Sequence, residues 1–401
     1  MTDQLRPSLT DPSPADRASS GSAPLRQFIL KVHGRCDLAC DYCYLYRLGD
    51  QRWRDRPPVM SRHTVDRTAD RIAEHVARHQ LSAVELVLHG GEPLLAGAER
   101  LAYSVRRVRA AVGPGVTVRV ATQTNGVRLD HRFLDLFREL DVGVGVSVDG
   151  GREVHDRHRR DHRGRGSHRA VSRALALLAE PRYRRQYLGL LCTVDLDNDP
   201  VRVYEDLLAF RPPAIDLLLP HGSWSDPPPG RDPHSADAPY GRWLVEVFDR
   251  WYDAPVRETG IRLFEEVIRL LFGRTSRLEG IGLGPAASIV VETDGSIVES
   301  DHLVAVSGHG ASGLAVATDG FDAALRLPLA RARRGGLDGL SPTCRACPVL
   351  EICGGGLFSH RYRAGDGFRN PSVYCPDLRH LIDHVHRRLI GDVRRLAGSA
   401  A

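Results

Sequence analysis

KVHGRCDLACDYCYLY, residues 31–46, carries Cys36, Cys40 and Cys43 in a Cys-x3-Cys-x2-Cys pattern. It overlaps QFILKVH (27–33), an apolar run that reads as a β-strand. The thiols therefore stand just past the C-terminal end of a strand, the edge where ligands gather in parallel α/β sheets. Three thiolates hold three irons of a four-iron cubane and leave the fourth open to a ligand, whereas four cysteines would close it. A mononuclear zinc site with His33 as a further ligand is the alternative.

Downstream, apolar runs alternate with helical periodicity over about 195 residues. Strands are expected at 84–88, 116–121, 143–148, 187–194 and 215–219, and helices at 61–80, 98–112, 131–140, 167–179 and 200–210. Ser61 reads as an N-cap, with Val65, Ala69, Ile72 and Val76 on one face of the first helix. Six strands with crossover helices predict a parallel sheet, an open partial (β/α)6 barrel. Residues 1–24 are rich in Pro, Ser and Asp and are expected to be disordered. The barrel is assigned to 25–221. Residues 222–285 form a bridge, a Pro/Gly-rich loop followed by helices at 240–251 and 257–272. A last region spans 286–401, with a hairpin at 288–298 turning on Asp294–Gly295 and a terminal helix at 377–396.

Each strand end carries a polar motif. Gly90, Gly91, Glu92 and Pro93 follow the second strand; the glycines let backbone approach a ligand and the Glu92 carboxylate shapes the turn. Thr124 and Asn125 follow the third, as ligand contacts or as turn caps. Ser147 and Asp149 follow the fourth and suit hydroxyl groups, and Val194 ends the fifth. Arg159 in HDRHR (155–159) suits a carboxylate held by two parallel hydrogen bonds, or lies on the surface. Cys344, Cys347, Cys353 and Cys375 make a second group of four, which alone would suggest zinc. Cys192, single within a strand, reads as core.

The first cysteine pattern, with Tyr42 before its last cysteine, resembles the signature of the radical S-adenosylmethionine (SAM) superfamily. That resemblance implies a [4Fe–4S] cluster on Cys36, Cys40 and Cys43 that binds SAM. It also implies a SAM pocket from Tyr42, Gly90, Gly91, Glu92, Pro93, Thr124, Asn125, Ser147, Asp149, Arg159 and Val194. The second group resembles a SPASM domain and implies an auxiliary [4Fe–4S] cluster on Cys344, Cys347, Cys353 and Cys375. Two further cysteines usual in that domain are replaced here by Ser300 and Leu357, so one auxiliary cluster is expected, not two. Asp301 stands where related sulfatase-maturating enzymes place a base; otherwise it caps the hairpin.

FILKVHGRCDLACDYCYLY, VELVLHGGEPLL, SIVVETDGSI and RACPVLEICGGGLFSHRYRAGDGFRNPSVYCPDL resemble the FxsB-like branch of radical SAM/SPASM peptide maturases. Membership would imply Cβ–H abstraction from a precursor peptide and a C–C bond to an aromatic ring, giving a three-residue cyclophane. The alternatives are an ether or thioether crosslink, formylglycine formation, or, outside enzymes, an iron–sulfur electron carrier or sensor. The SAM-pocket motifs argue against an electron carrier, and the expected absence of the inner cluster weighs against formylglycine formation. A flavodoxin- or ferredoxin-type electron donor is implied as a partner.

A net charge of +5 over 401 residues does not by itself point to nucleic acid. Lacking a signal peptide and a long apolar run, the chain is expected in the cytoplasm with no membrane partner. Lys31 is the only lysine among 55 basic residues, a bias expected from a GC-rich genome.

Overall fold

The computed structural model describes residues 23–284, 286–307 and 311–399. Nearly all of the segment expected to be disordered, 1–22, lies outside the described residues. The protein is an α/β fold built on one open, ten-stranded sheet. Strands β1 (Gln27–His33), β2 (Ala83–Gly90), β3 (Thr117–Thr124), β4 (Val142–Ser147), β5 (Tyr187–Thr193), β6 (Ala214–Leu218) and β7 (Gly260–Ile261) lie side by side in chain order. Every neighbouring pair among them is parallel. Beyond β1 the sheet continues through β8 (Ser288–Val291), β9 (Ser296–Val298) and β10 (Ala311–Ala315). β8 pairs parallel with β1, and the last two strands run antiparallel.

The expected strands and helices form, with ends shifted by a few residues, and the sheet is larger than the six strands read from sequence. β7 lies inside 257–272, read as helical throughout; the helix there covers only Arg262–Leu271. Two residues carry no periodicity, and β7 is recruited by the Gly260 N–H bonding to the Pro213 carbonyl at 3.2 Å. β10, with the sequence ASGLA, lacks the β-branched and aromatic residues that mark strands. The terminal helix begins on Cys375, two residues earlier than expected, and runs to Ser399.

The helix Arg62–Arg78 shows why the sequence folds this way. The Ser61 hydroxyl accepts the Thr64 N–H at 3.0 Å, and Val65, Ala69, Ile72 and Val76 are buried along one face. Removing a buried side chain such as Ile72 would cost about 2–5 kcal/mol. β2 alternates half-buried and buried residues along its whole length. The terminal helix lies along the helix Pro239–Tyr252, where the Gly241 N–H donates to the Asp377 carboxylate at 2.9 Å. A Cβ on Gly241 would sit 2.7 Å from the Asp377 carbonyl, so the crossing needs glycine there. Among the described residues no helix is long and apolar enough to cross a membrane.

Candidate active site

The loop after β1 is held from two sides. The Ala39 N–H donates to the Arg160 carbonyl at 2.7 Å, and His162 Nε2 contacts the Cys36 carbonyl at 2.9 Å. Cys36, Cys40 and Cys43 are half-buried on this loop. The Leu38 N–H and the Asn125 amide approach Cys36 Sγ at 3.4 and 3.6 Å. Burial pushes all three thiols up, Cys40 to about 11, so a cationic partner must compensate before they serve as thiolate ligands.

Cys344, Cys347, Cys353 and Cys375 converge from three short segments. The Ser341 hydroxyl caps the turn bearing Cys344, accepting its N–H at 3.1 Å. Burial, then the neighbouring cysteines of this group, push Cys353 up to about 12. Gly354, at φ +62°, turns the chain sharply after Cys353, and the Arg361 guanidinium donates to the carbonyls of Gly354, Gly355 and Gly356.

The spacing of these sulfurs bears on what they hold. Tetrahedral zinc with Zn–S bonds of about 2.3 Å draws its sulfurs to about 3.8 Å from one another. Among the described residues the only group of three candidate ligand atoms within 4.8 Å of one another is His75, His79 and Asp322, so neither cysteine group is gathered that tightly. A cubane, which spreads its thiolates over separate irons, fits both groups better. The His75–His79–Asp322 group is a hydrogen-bond tie. His75 Nε2 accepts the Leu25 N–H at 3.1 Å, which puts the ring proton on Nδ1, 3.1 Å from Asp322. His79 Nε2 meets the same carboxylate oxygen at 2.7 Å.

Gly90 and Gly91 lie against the backbone of the cysteine loop. The Gly91 N–H donates to the His33 carbonyl and the Glu92 N–H to the Arg35 carbonyl, both at 2.9 Å. A Cβ on Gly90 would collide with the His33 carbonyl, and one on Gly91 with the Tyr46 hydroxyl and the Arg35 carbonyl. Close approach here is first of all backbone to backbone. Glu92, fully buried, is a bracket: it accepts the Leu94 N–H, the Thr124 hydroxyl and the Asn125 N–H at 3.0, 2.7 and 2.8 Å. Burial raises its carboxyl to about 7, although those three donors pull it down. Pro93 opens the short turn that follows.

Asp149 and Arg159 are brought together as a buried pair at 2.8 Å. The Asp149 carboxylate also accepts the Tyr42 hydroxyl and, at 3.0 Å, the Thr193 N–H. Burial would raise its carboxyl, but Arg159, then His155 and the Tyr42 hydroxyl, hold it below the usual range. Arg159 is not on the surface, and its Nε is engaged by Asp149. Ser147 and Val194 are buried at the ends of β4 and β5, and Cys192 is fully buried in β5. Asn125 reaches Asp37 as well as Cys36, linking the third strand end to the cysteine loop.

Asp301 begins the helix Asp301–Ser307 and is buried. It lines one cavity with Tyr44, Gly90, Gly91, Glu292 and Lys31. Lys31 Nζ lies 2.8 Å from both Asp301 and Glu292, and Arg56 reaches Glu292 at 3.1 Å. His302 and His221 meet at 2.8 Å beside it, with Tyr44 stacked on His302. Lys31, Arg56, Glu292, His221 and His302 were missed from sequence. The one available signal was the lone lysine, set aside as codon bias.

Residues 30–200 match the family model described as the Radical SAM superfamily. The chain is 27% identical over 357 residues to the serine-type anaerobic sulfatase-maturating enzyme of Klebsiella aerogenes, covering 86% of this chain and 82% of that one. It is 25% identical over 293 residues to the cysteine-type enzyme of Clostridium perfringens (strain 13 / Type A), covering 70% and 75%. Among solved structures, native anSMEcpe with bound AdoMet and the Cp18Cys peptide matches with a TM-score of 0.79 at 21% identity, over 93% of this chain and all of that one. Streptococcus suis SuiB bound to its precursor peptide SuiA matches with a TM-score of 0.57 at 12% identity, over 88% and 76%. The matched segment starts on β1 and takes in the cysteine loop and the first five strands, and the fold beyond it follows the same architecture. Over residues 30–200 the chain is therefore similar to the radical SAM superfamily, a class that works with a [4Fe–4S] cluster and SAM, and over nearly its whole length it shares the fold of the sulfatase-maturating enzyme structures.

Proposed function

We propose that the protein oxidises a serine or cysteine side chain of a peptide or protein segment to an aldehyde, the formylglycine reaction. The observation that carries this reading is Asp301, buried and ion-paired, in one cavity with Gly90, Gly91 and Tyr44 of the cysteine-loop region. The similarity to sulfatase-maturating enzymes over most of the chain supports it. Cys36, Cys40 and Cys43 would hold the catalytic cluster, with Tyr42, Gly90, Gly91, Glu92, Pro93, Thr124, Asn125, Ser147, Asp149, Arg159 and Val194 forming or shaping the SAM pocket. The cluster and SAM, when bound, supply a 5′-deoxyadenosyl radical that removes one hydrogen atom from the substrate Cβ. The substrate must then lose one proton and one electron, which gives the aldehyde directly from serine and, from cysteine, a thioaldehyde that water hydrolyses to the aldehyde with release of hydrogen sulfide. Asp301 would take the proton. Cys344, Cys347, Cys353 and Cys375 would hold the cluster that accepts the electron.

A second reading, the cyclophane crosslink of the FxsB-like maturases, draws on Ser300 and Leu357, which replace cysteines at the inner-cluster positions. The Leu357 side chain lies so close to Gly280 that a Cβ there would sit 3.2 Å from it. Both readings remove two hydrogens from a serine-containing peptide, so mass alone does not separate them. Reduced protein, SAM and a Ser- or Cys-containing sulfatase peptide should yield a product that reacts with a hydrazide probe. A product lighter by two hydrogens, silent to hydrazide and resistant to fragmentation within one triplet, would replace the first reading by the second. SAM cleavage with no peptide change across both substrate classes would sink both.

A further inference from the structure

Asp301 can accept a proton only if its carboxylate is aimed into the cavity, and among the described residues Lys31 is the group ion-paired to it. Lys31 is 8% exposed, and its Nζ sits 2.8 Å from Asp301 Oδ1 and 2.8 Å from Glu292 Oε1. The strand register sets this up: Leu30 lies opposite Val291 where β8 pairs with β1, so the next residue on each strand brings Lys31 to Glu292. Arg56 then binds Glu292 at 3.1 Å and Asp294 at 3.3 Å. Glu292 thus has two cations, whereas Lys31 is the only ion-pair partner of Asp301 among the described residues. Asp301 Oδ1 has no hydrogen-bond partner among the described residues, so its 2.8 Å contact with Lys31 is an ion pair, while the Lys31 hydrogen bond goes to Glu292.

We infer that Lys31 is the positioning residue of the proton-accepting step, an ammonium that fixes Asp301 and is itself kept paired by Glu292 when Asp301 takes up the proton. The inference rests on the reading of Asp301 as the proton acceptor. The charges account for two carboxylates around one lysine. Before the transfer Lys31 faces Glu292 and Asp301, while Arg56 is shared between Glu292 and Asp294; after it Asp301 is neutral, and Glu292 still prevents Lys31 from becoming an unpaired buried cation. They also account for lysine in a chain that otherwise uses arginine. A compact ammonium with three donors sits between two carboxylates that a planar guanidinium would push apart. Burial alone would lower the Lys31 ammonium, but Asp301 and then Glu292 reverse this and hold it above the ordinary lysine value of 10.5. The other titratable groups facing this network are His89 from β2, His302, His221 and Tyr44. Burial keeps the three histidines neutral and the phenol protonated.

Because the chain has one lysine, full-length protein grown with 13Cε-labelled lysine gives a single lysine NMR signal. In the native protein that signal should remain that of an ammonium past pH 10.5. Asp301→Asn and Glu292→Gln should each bring its titration to lower pH. An unshifted midpoint in folded Asp301→Asn overturns the pairing, whichever peptide the enzyme modifies. In turnover, Lys31→Met should cleave at least about tenfold more SAM per peptide modified than the native enzyme, with Lys31→Arg recovering part of the coupling. A native SAM-to-product ratio in Lys31→Met overturns the positioning role. If the native enzyme modifies no peptide, the proposed function fails, while the NMR titration still decides the Lys31–Asp301 pair.

Discussion

His155 can occupy only one protonation state without breaking the site. Its Nδ1 accepts the Asp149 N–H at 3.4 Å, so Nε2 carries the proton and meets the Ser167 hydroxyl at 2.9 Å; that hydroxyl donates to the Arg159 carbonyl at 2.7 Å. Burial, partly offset by Asp149, lowers the ring to about 4. A histidine depressed in the folded state gives stability that is complete above its unfolded value near 6.5 and is lost as the pH falls from there towards 4. The loss amounts to about 3 kcal/mol. Urea unfolding from pH 7 to pH 4 should therefore steepen below 6.5, and His155→Gln should flatten that dependence by about one proton; an identical slope would show that His155 protonates freely in the fold. At the same scale the two cysteine groups are separable. Native protein reconstituted under anaerobic conditions should bind about eight irons, and Cys375→Ala about four, with SAM cleavage persisting. About twelve irons in the native chain would contradict a single auxiliary cluster.

At the scale of elements, the site depends on how closely β2 meets the loop that follows β1. The Gly91 and Glu92 N–H groups bond to the His33 and Arg35 carbonyls, and neither Gly90 nor Gly91 has room for a Cβ. Gly90→Ala should therefore push the cysteine loop away, costing stability well beyond the roughly 1 kcal/mol of an average substitution and lowering iron content together with melting temperature. Gly97→Ala, where a Cβ would meet nothing within 4 Å, should leave iron content intact despite its φ of +81°. Elements such as these were legible in the sequence because their signals are local. Cysteine spacing, a Gly-Gly turn at a strand end, and a Ser N-cap before an apolar stripe each lie within a few residues. What Glu92 does was only partly legible: its carboxylate was placed in the turn, but its bonds to Thr124 and Asn125 cross to the next strand end.

At the scale of the molecule, the charged network was illegible because its members meet only through the sheet. Lys31 and Glu292 are 261 positions apart, and their meeting depends on a parallel β1–β8 pairing that no local pattern announces. The sequence reading starts a last region at residue 286, and the sheet crosses that point. Gln27 to Leu30 pair with Ser288 to Val291, the Arg26 N–H donates to the Ala287 carbonyl at 2.9 Å, and Asp301 and Glu292 neutralise Lys31. A chain ending at residue 285 would leave β1 as an open edge and Lys31 as a buried cation without its carboxylates, a loss of several kcal/mol before any packing is counted. It would also remove the helix Cys375–Ser399 from the helix Pro239–Tyr252, exposing the contact at Gly241. Such a fragment should fail to fold cooperatively, and the full chain should melt in one transition by calorimetry when its clusters are reduced and intact. A fragment 23–285 that binds SAM and melts sharply would show that the barrel needs nothing from β8, and that the counter-charges of Lys31 serve the reaction alone.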